Sequence, residues 1–262
     1  MSADGGARAG PASGLAPLWN ARAVAIIGAT ERPGAIGRLP VEFLERYGYA
    51  GRILPVNPNA TQVLGVPAYP TVAAAPGPVD LALILVAAHR VPAAIEDCVA
   101  AGVPVVVVMS AGFAETGPAG AALQSDVVAT ARAGGIRVVG PNCIGAVGFA
   151  AGQVACFSPL FSARRLPVQG GEIGFVTQSG ALGYGAVSLA MERGLGLAVA
   201  VNTGNEADVT AVEVLHELAA GGECGALLGY VESLTDGPGL RALAGSGIPV
   251  ALLKAGTSAS GA

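Results

Sequence analysis

The chain has 262 residues, of which 52% are apolar, and its 18 acidic and 14 basic side chains leave a net charge of −4. That length and apolar content supply the core of one large domain or two ordinary ones and exclude disorder over most of the chain. With only 12% charged residues there is no basic face for a phosphodiester backbone, so nucleic acid is excluded as an expected partner.

Residues 1–19 read as a flexible N-terminus, rich in Gly, Ala, Ser and Pro and without the apolar stretch of a secretory signal. From Val24, β-branched apolar runs at 24–29, 52–56, 81–87, 103–109 and 136–139 alternate with stretches of helical composition at 39–47, 91–101 and 119–133. Near-continuous apolar strands spaced by helices predict a parallel sheet covered on both faces, an α/β doubly wound domain over 20–148. The longest unbroken apolar run, 81–88, is about a third to a half of a membrane span, so no membrane association is expected and the chain reads as soluble and cytoplasmic. A Gly/Pro/Ser-rich stretch with the pair Arg164 and Arg165 reads as a linker over 149–171. The alternation then resumes, with strands at 173–177, 197–201, 226–231 and 250–253 and helices at 181–193 and 208–219. This predicts a second, mostly parallel α/β domain over 172–256, followed by a loose end at 257–262. Cys98, Cys143, Cys156 and Cys224 stand far apart and only His89 and His216 could join them, so neither a disulfide framework nor a metal site is expected.

In open parallel sheets ligands bind beyond the carboxyl ends of the strands, which directs attention to the residues after each run. Gly28-Ala29-Thr30-Glu31-Arg32-Pro33-Gly34-Ala35-Ile36-Gly37 permits a sharp exit from the first strand and lets backbone N–H groups approach an anion at a helix start; the alternative is an ordinary βα turn. The spacing is not the dinucleotide fingerprint, and Asn57-Pro58 stands where nicotinamide enzymes place an acidic residue, which opposes an oxidoreductase. The later strands lead into Ser110-Ala111-Gly112-Phe113 and Gly140-Pro141-Asn142-Cys143. These offer hydrogen bonds and, at Phe113, an apolar surface, or they are plain turns. Cys143 has no charged neighbour in sequence and reads as a small buried hydrophobe. In the second domain Ser179-Gly180 opens a helix, either as a simple N-cap or as a phosphoryl site; Asn202-Thr203-Gly204-Asn205-Glu206-Ala207-Asp208 repeats that arrangement, or Asp208 simply caps the next helix; and Glu232 follows a strand, either as an exposed surface group or as a carboxylate orienting a catalytic histidine. There is no P-loop, H-E-x-x-H or nucleophile elbow.

Taken in order, Ile27-Gly28-Ala29-Thr30, Pro55-Val56-Asn57-Pro58, Ser110-Ala111-Gly112-Phe113, Gly140-Pro141-Asn142-Cys143, Gln178-Ser179-Gly180-Ala181-Leu182-Gly183, Gly204-Asn205-Glu206-Ala207-Asp208 and Lys254-Ala255-Gly256 resemble the CoA-binding half of the NDP-forming acyl-CoA synthetases, the superfamily of the succinyl-CoA synthetase α subunit. The resemblance implies a Rossmann-like CoA-binding domain followed by a flavodoxin-like domain. It implies that Gly28, Ala29, Thr30, Arg32, Pro33, Gly37, Asn57 and Pro58 take the phosphate-bearing end of coenzyme A. Ser110, Ala111, Gly112, Phe113, Pro141, Asn142 and Cys143 would lie nearer its thiol. Ser179 and Gly180 would hold a phosphoryl group, and Glu232 would steady a phosphohistidine. The implied reaction joins a small carboxylic acid to CoA through acyl phosphate and phosphohistidine, with ATP, ADP and Mg handled by an ATP-grasp subunit or domain. In the family the phosphorylated histidine lies shortly after the position of Lys254-Ala255-Gly256, whereas this chain continues Thr257-Ser258-Ala259-Ser260-Gly261-Ala262, and the ATP-grasp region is not in this sequence. The resemblance therefore implies a part of a synthetase; the competing expectation is a non-catalytic module that senses CoA or acyl-CoA.

Overall fold

The computed structural model describes residues 14–163 and 170–256. The expectations for residues 1–13, for Arg164 and Arg165 and for 257–262 lie outside the described residues. The chain opens with a short helix α1 (Pro17–Asn20) that buries Leu18 and Trp19. Of the residues assigned above to a flexible tail, Leu15, Pro17, Leu18 and Trp19 are therefore packed. Their anchor is the fully buried Gln153, which donates to the carbonyls of Pro17 (3.0 Å) and Leu18 (2.9 Å) and accepts from the Ala21 N–H (2.7 Å).

The first domain runs β1 (Ala23–Ile27), α2 (Leu39–Arg46), β2 (Arg52–Val56), a small hairpin β3 (Gln62–Val63) and β4 (Val66–Pro67), β5 (Leu81–Ile84), α3 (Val91–Ala100), β6 (Val105–Val108), α4 (Pro118–Ala133) and β7 (Arg137–Val139). Its five-stranded sheet has the order β2-β1-β5-β6-β7 and every pairing in it is parallel. All its carboxyl ends therefore lie on one edge. The helices α2, α3 and α4 each carry Pro in the first turn, where its missing N–H costs nothing. On α2, Glu42 bridges Arg38 and Arg46 at i,i+4 spacing.

The chain then forms β8 (Gly145–Gly148), β9 (Gln153–Cys156), α5 (Leu160–Ala163), β10 (Ile173–Thr177), α6 (Gly180–Glu192), β11 (Leu197–Asn202), α7 (Ala211–Gly221), β12 (Ala226–Val231), α8 (Gly237–Ala244) and β13 (Val250–Lys254). The second sheet has the order β13-β12-β10-β11-β8-β9, with β10 to β13 parallel and the β8–β9 hairpin added antiparallel to β11. Strand pairing thus puts residues 145–148, read above as the end of the first domain, in the second sheet. The stretch read as a linker contains β9 and α5. Ala146, Val147, Val154, Ala155 and Cys156 are all buried, which explains why this Gly-rich segment pairs instead of crossing open solvent.

Both sheets are wound alike. In the first, β1 feeds β2 on one side and the chain then crosses to β5 on the other; in the second, β10 feeds β11 and the chain crosses to β12. Each domain therefore has a switch point, beside β1 and beside β10, the place in open α/β sheets where a crevice forms outside the carboxyl ends.

Candidate functional site

At the first switch point, Gly28 leaves β1 with φ +91°, and a Cβ there would sit 2.7 Å from the Leu85 carbonyl oxygen beyond β5. Gly37, where the chain turns into α2, would carry a Cβ 2.2 Å from the Gly28 carbonyl oxygen. Only glycines let the turn, the neighbouring strand end and the helix start approach this closely. Thr30 Oγ1 accepts from the Arg32 N–H (3.2 Å), and Arg32 and Pro33 are exposed. Asn57 donates to the Ala29 carbonyl (2.8 Å) and accepts from the Asn59 N–H (2.9 Å), so it ties the loop after β2 to the loop after β1; Pro58 beside it is exposed. Ala29 is buried.

The loops after β6 and β7 reach the same edge. The Ser110 hydroxyl turns inward to the Val86 carbonyl (2.5 Å), and Phe113 is fully buried among the residues under the sheet, so this loop presents backbone and Ala111 outward while the Phe113 ring is core. The N–H groups of Gly112 and Phe113 both donate to Glu115 Oε1 (2.6 and 3.1 Å). Burial opposes ionisation of Glu115, but these amides and the Asn205 side chain hold its pKa below the ordinary value. In the next loop, Asn142 is exposed with φ +56°, Pro141 is buried, and the Cys143 thiol points to the Val108 carbonyl (3.3 Å). Burial pushes that thiol up to about 12, as a small core group and not a nucleophile would show.

At the second switch point, Thr177 Oγ1 clasps the turn by accepting from the Ser179 N–H (3.1 Å) and donating to the Ser179 carbonyl (2.9 Å). Ser179 occupies the N-cap position of α6 without a side-chain cap bond, so of the two readings its hydroxyl is not spent on capping. The first amides of this 13-residue helix have no intrahelical acceptors. Gln178 crosses the crevice: its Oε1 accepts from the N–H groups of Glu232 (2.6 Å) and Ser233 (2.9 Å), which fixes Glu232 opposite Ser179 with its side chain exposed. Lys254 donates to the Glu232 carbonyl (2.8 Å). Burial pushes the Glu206 carboxyl above its ordinary value, against hydrogen bonds from the Thr203 hydroxyl (2.7 Å) and the Ala211 N–H (2.8 Å).

The two edges meet. Ile144, next to Cys143, donates its N–H to Asn202 Oδ1 (2.7 Å), while Asn202 Nδ2 donates to the Thr177 and Gln178 carbonyls (2.9 and 3.1 Å). A Cβ on Gly180 would sit 2.6 Å from Ile144 Cδ1. The turn after β7 is thus packed directly on the Ser179-Gly180 turn, while the Gly28–Gly37 and Asn57 loops lie farther along the first edge.

Asp208, expected to cap α7, does not. Thr210 caps it, accepting from the Glu213 N–H (3.2 Å). Asp208 reaches into the first domain, where Oδ1 accepts from Arg132 Nε and Nη2 (2.9 and 2.7 Å) and Oδ2 from Arg137 Nε (3.0 Å) and the Val138 N–H (2.8 Å). Burial of this carboxylate would raise its pKa; the Val138 amide and the two guanidiniums outweigh burial and hold it below the ordinary value. His216 bridges to the Gly239 carbonyl (2.6 Å) between α7 and α8, and His89 is exposed before α3. Glu115 does not stand out in the sequence, because a loop carboxylate two residues past Phe113 carries no spacing that distinguishes it from a surface group.

Comparison with known proteins finds two matching family models in succession. A family model described as a CoA binding domain covers residues 22–148, and one described as a succinyl-CoA ligase like flavodoxin domain covers 170–262. The chain is 36% identical over 248 residues to acetate–CoA ligase [ADP-forming] I of Archaeoglobus fulgidus, covering 94% of this chain and 35% of that protein. It is 35% identical to the α subunit of acetate–CoA ligase [ADP-forming] I of Pyrococcus furiosus, covering 95% of this chain and 54% of the subunit. Among solved structures, the apo dinucleotide forming acetyl-coenzyme A synthetase 1 of Ca. Korarchaeum cryptofilum superposes with a TM-score of 0.86 at 32% identity, over 95% of this chain and 54% of that one. The chain spans about a third to a half of the length of these relatives. With its Rossmann-like CoA-binding domain followed by a flavodoxin-like domain, the chain belongs to the NDP-forming acyl-CoA synthetase superfamily, whose CoA-binding half it represents.

Proposed function

We propose that the chain forms the CoA-binding part of an enzyme that converts a small carboxylic acid, CoA and ATP reversibly to acyl-CoA, ADP and phosphate, through acyl phosphate and phosphohistidine. The observation that carries this reading is the packing of the Pro141-Asn142-Cys143-Ile144 turn on Ser179-Gly180, which sets the two carboxyl edges against each other. Gly28, Ala29, Thr30, Arg32, Pro33, Gly37, Asn57 and Pro58 would receive the phosphate-bearing end of CoA. Close glycine approach and the exposed Arg32 guanidinium fit an anion there. The 110–113 and 141–143 loops would direct the thiol end toward the junction through backbone groups and Asn142, with Phe113 and Cys143 supporting from beneath. Ser179 and the first amides of α6 would hold the phosphoryl group, since a hydroxyl and a positive helix end stabilise developing negative charge. Glu232, held across the crevice by Gln178, would steady the imidazolium of a phosphohistidine. ATP and Mg would belong to an ATP-grasp domain or subunit outside this sequence, and the assembly would be cytoplasmic.

Calorimetric titration of the chain with CoA tests the reading. Saturable binding is expected, weakened about tenfold by Arg32→Ala through loss of one charge-assisted phosphate contact. No binding at millimolar CoA overturns it.

A further inference from the structure

Between the two carboxyl edges runs a seam that neither the glycine loops nor the phosphoryl turn accounts for. Residues 205–209, a turn and bend with no strand of their own, hang on 138–141 by three backbone bonds: Asn205 N–H donates to the Pro141 carbonyl (2.9 Å), Ala207 N–H to Gly140 (3.0 Å) and Val209 N–H to Val138 (3.1 Å). Asp208 holds the end of this seam remote from the site, through Arg132 and Arg137. At the end beside the site, apart from the Asn202 bonds to Ile144 and the 177–178 turn, one side chain gathers three partners. Asn205 Nδ2 donates to Glu115 Oε2 (2.6 Å) and Gln124 Oε1 (3.1 Å), and its Oδ1 accepts from Asn142 Nδ2 (3.2 Å). Glu115 passes this attachment on, because its other oxygen holds the amides of Gly112 and Phe113.

We infer that Asn205 is a positioning residue that registers both thiol-end loops of the first domain, 110–113 through Glu115 and 141–143 through Asn142, against the phosphoryl side of the second. The chemistry of the site selects this residue type. The position must donate to a carboxylate and accept from an amide on a side chain one carbon long. An aspartate there would set two carboxylates against each other, and an alanine would leave Glu115, Gln124 and Asn142 without their shared partner. Asn205 need not touch CoA, so its contribution lies in where the bound thiol end sits and not in how tightly CoA binds. That consequence rests on the function proposed above; the registration itself does not.

Amide hydrogen exchange on the chain, without ligand and with saturating CoA, tests both. Without ligand, Asn205→Ala should speed exchange in peptides covering 110–116 and 203–207 by about tenfold or more, the loss of one charge-assisted hydrogen bond, while β1 and β5 stay protected. Asn205→Asp should do the same, and adding Glu115→Gln should restore protection, because the new amide then donates to the new carboxylate. With CoA, wild type should gain protection at 178–180 and 203–207 as well as in the first domain. At saturating CoA, Asn205→Ala should lose that transmitted protection. Unchanged exchange in ligand-free Asn205→Ala, or a double variant no better than Asn205→Asp alone, overturns the inference. Should Asn205→Ala unfold, seen as lost protection in β1 and β5, the comparison of Asn205→Asp with the double variant decides. Failure of wild type to bind CoA removes the functional reading, while the ligand-free exchange rates still decide whether Asn205 registers the loops.

Discussion

In the first sheet every residue of β1, β5 and β6 is buried, whereas in the second β12 alternates between buried and open positions and β13 leaves Leu253 64% exposed. The two sheets share a winding order and β12 is internal like β5, so strand order does not explain the contrast at β12, although β13 is an edge strand where β6 is flanked by β7. One face of the first sheet, through Ala23, Ala25, Ala82, Ile84, Val106 and Val108, rests on α3 and α4. Its other face, through Val24, Ile26, Leu83 and Val107, belongs to a core that also contains Leu15 and Leu18 of the N-terminal segment and Val201, Val209 and Leu215 of the second domain. The first sheet is thus closed by residues distant in sequence, and among the described residues the second, over β12 and β13, is not closed in the same way. Equivalent positions in equivalent topologies therefore carry different energetic weight.

The largest expected effect is on thiol chemistry. Burial raises the Cys98 and Cys143 thiols, and Cys156 on β9 of the second sheet, to about 12, and Cys224 beside the open edge of that sheet to about 11. At pH 8 a thiol raised this far is almost wholly protonated, and it is buried as well, so alkylation of Cys143 should be much slower than that of an ordinary cysteine. Cys224 should label about tenfold faster than Cys143 under native conditions, which mass-resolved iodoacetamide kinetics would read. Equal rates at Cys143 and Cys224 would break the contrast between the closed core and the open side of the second sheet.

Next is core truncation. Ile84→Ala on the central β5 removes a fully buried side chain from a sheet covered on both faces and should cost about 4 kcal/mol, measured by urea unfolding.

Asp208→Asn should cost about 2 kcal/mol, less than a fully buried pair, because the Arg132 and Arg137 side chains are themselves 60% and 38% exposed while Asp208 is 1% exposed. The pH dependence follows from the lowered pKa. The unfolded state takes up the proton first as pH falls, so the stabilisation is complete above the ordinary aspartate value of about 4 and is lost below it. The gap between wild type and Asp208→Asn, followed by urea midpoints from pH 7 to pH 3, should therefore narrow only at the acid end. A gap that narrows already between pH 7 and 5 would assign the effect to another group.

The same contrast explains what is legible in sequence. Runs such as Leu81–Ile84 and Val105–Val108 announce strands because both faces are buried and every residue is apolar. The Gly-exit loops announce themselves because backbone approach excludes side chains. The β8–β9 hairpin does not, since Gly145–Gly148 and Gln153–Cys156 are short, glycine-bearing and paired with a strand some fifty residues on. Asp208 reads as a cap in sequence because helix-capping chemistry is local, while its actual partners lie about 70 residues earlier in the chain. Ser110 and Asn57 stand out as polar loop residues, but only the fold shows their polar groups turned to neighbouring carbonyls and amides.

The smallest expected effect is at the open edge. Leu253→Ala changes as many carbon atoms as many core truncations, yet the side chain is 64% exposed on an edge strand, beside Leu228 at 36%. Little apolar area is returned to water, so the cost should stay within about 0.5 kcal/mol. Urea unfolding at two protein concentrations gives that number a sharper meaning. A small, concentration-independent change leaves the face as open in solution as it is here. A cost of about 2 kcal/mol would require that Leu253 be buried in the species that unfolds. If that cost grew with protein concentration, the covering layer would come from a second copy, because only association makes stability depend on protomer concentration. The contrast between the sheets would then be one of which molecule supplies the layer, and not of whether a layer exists.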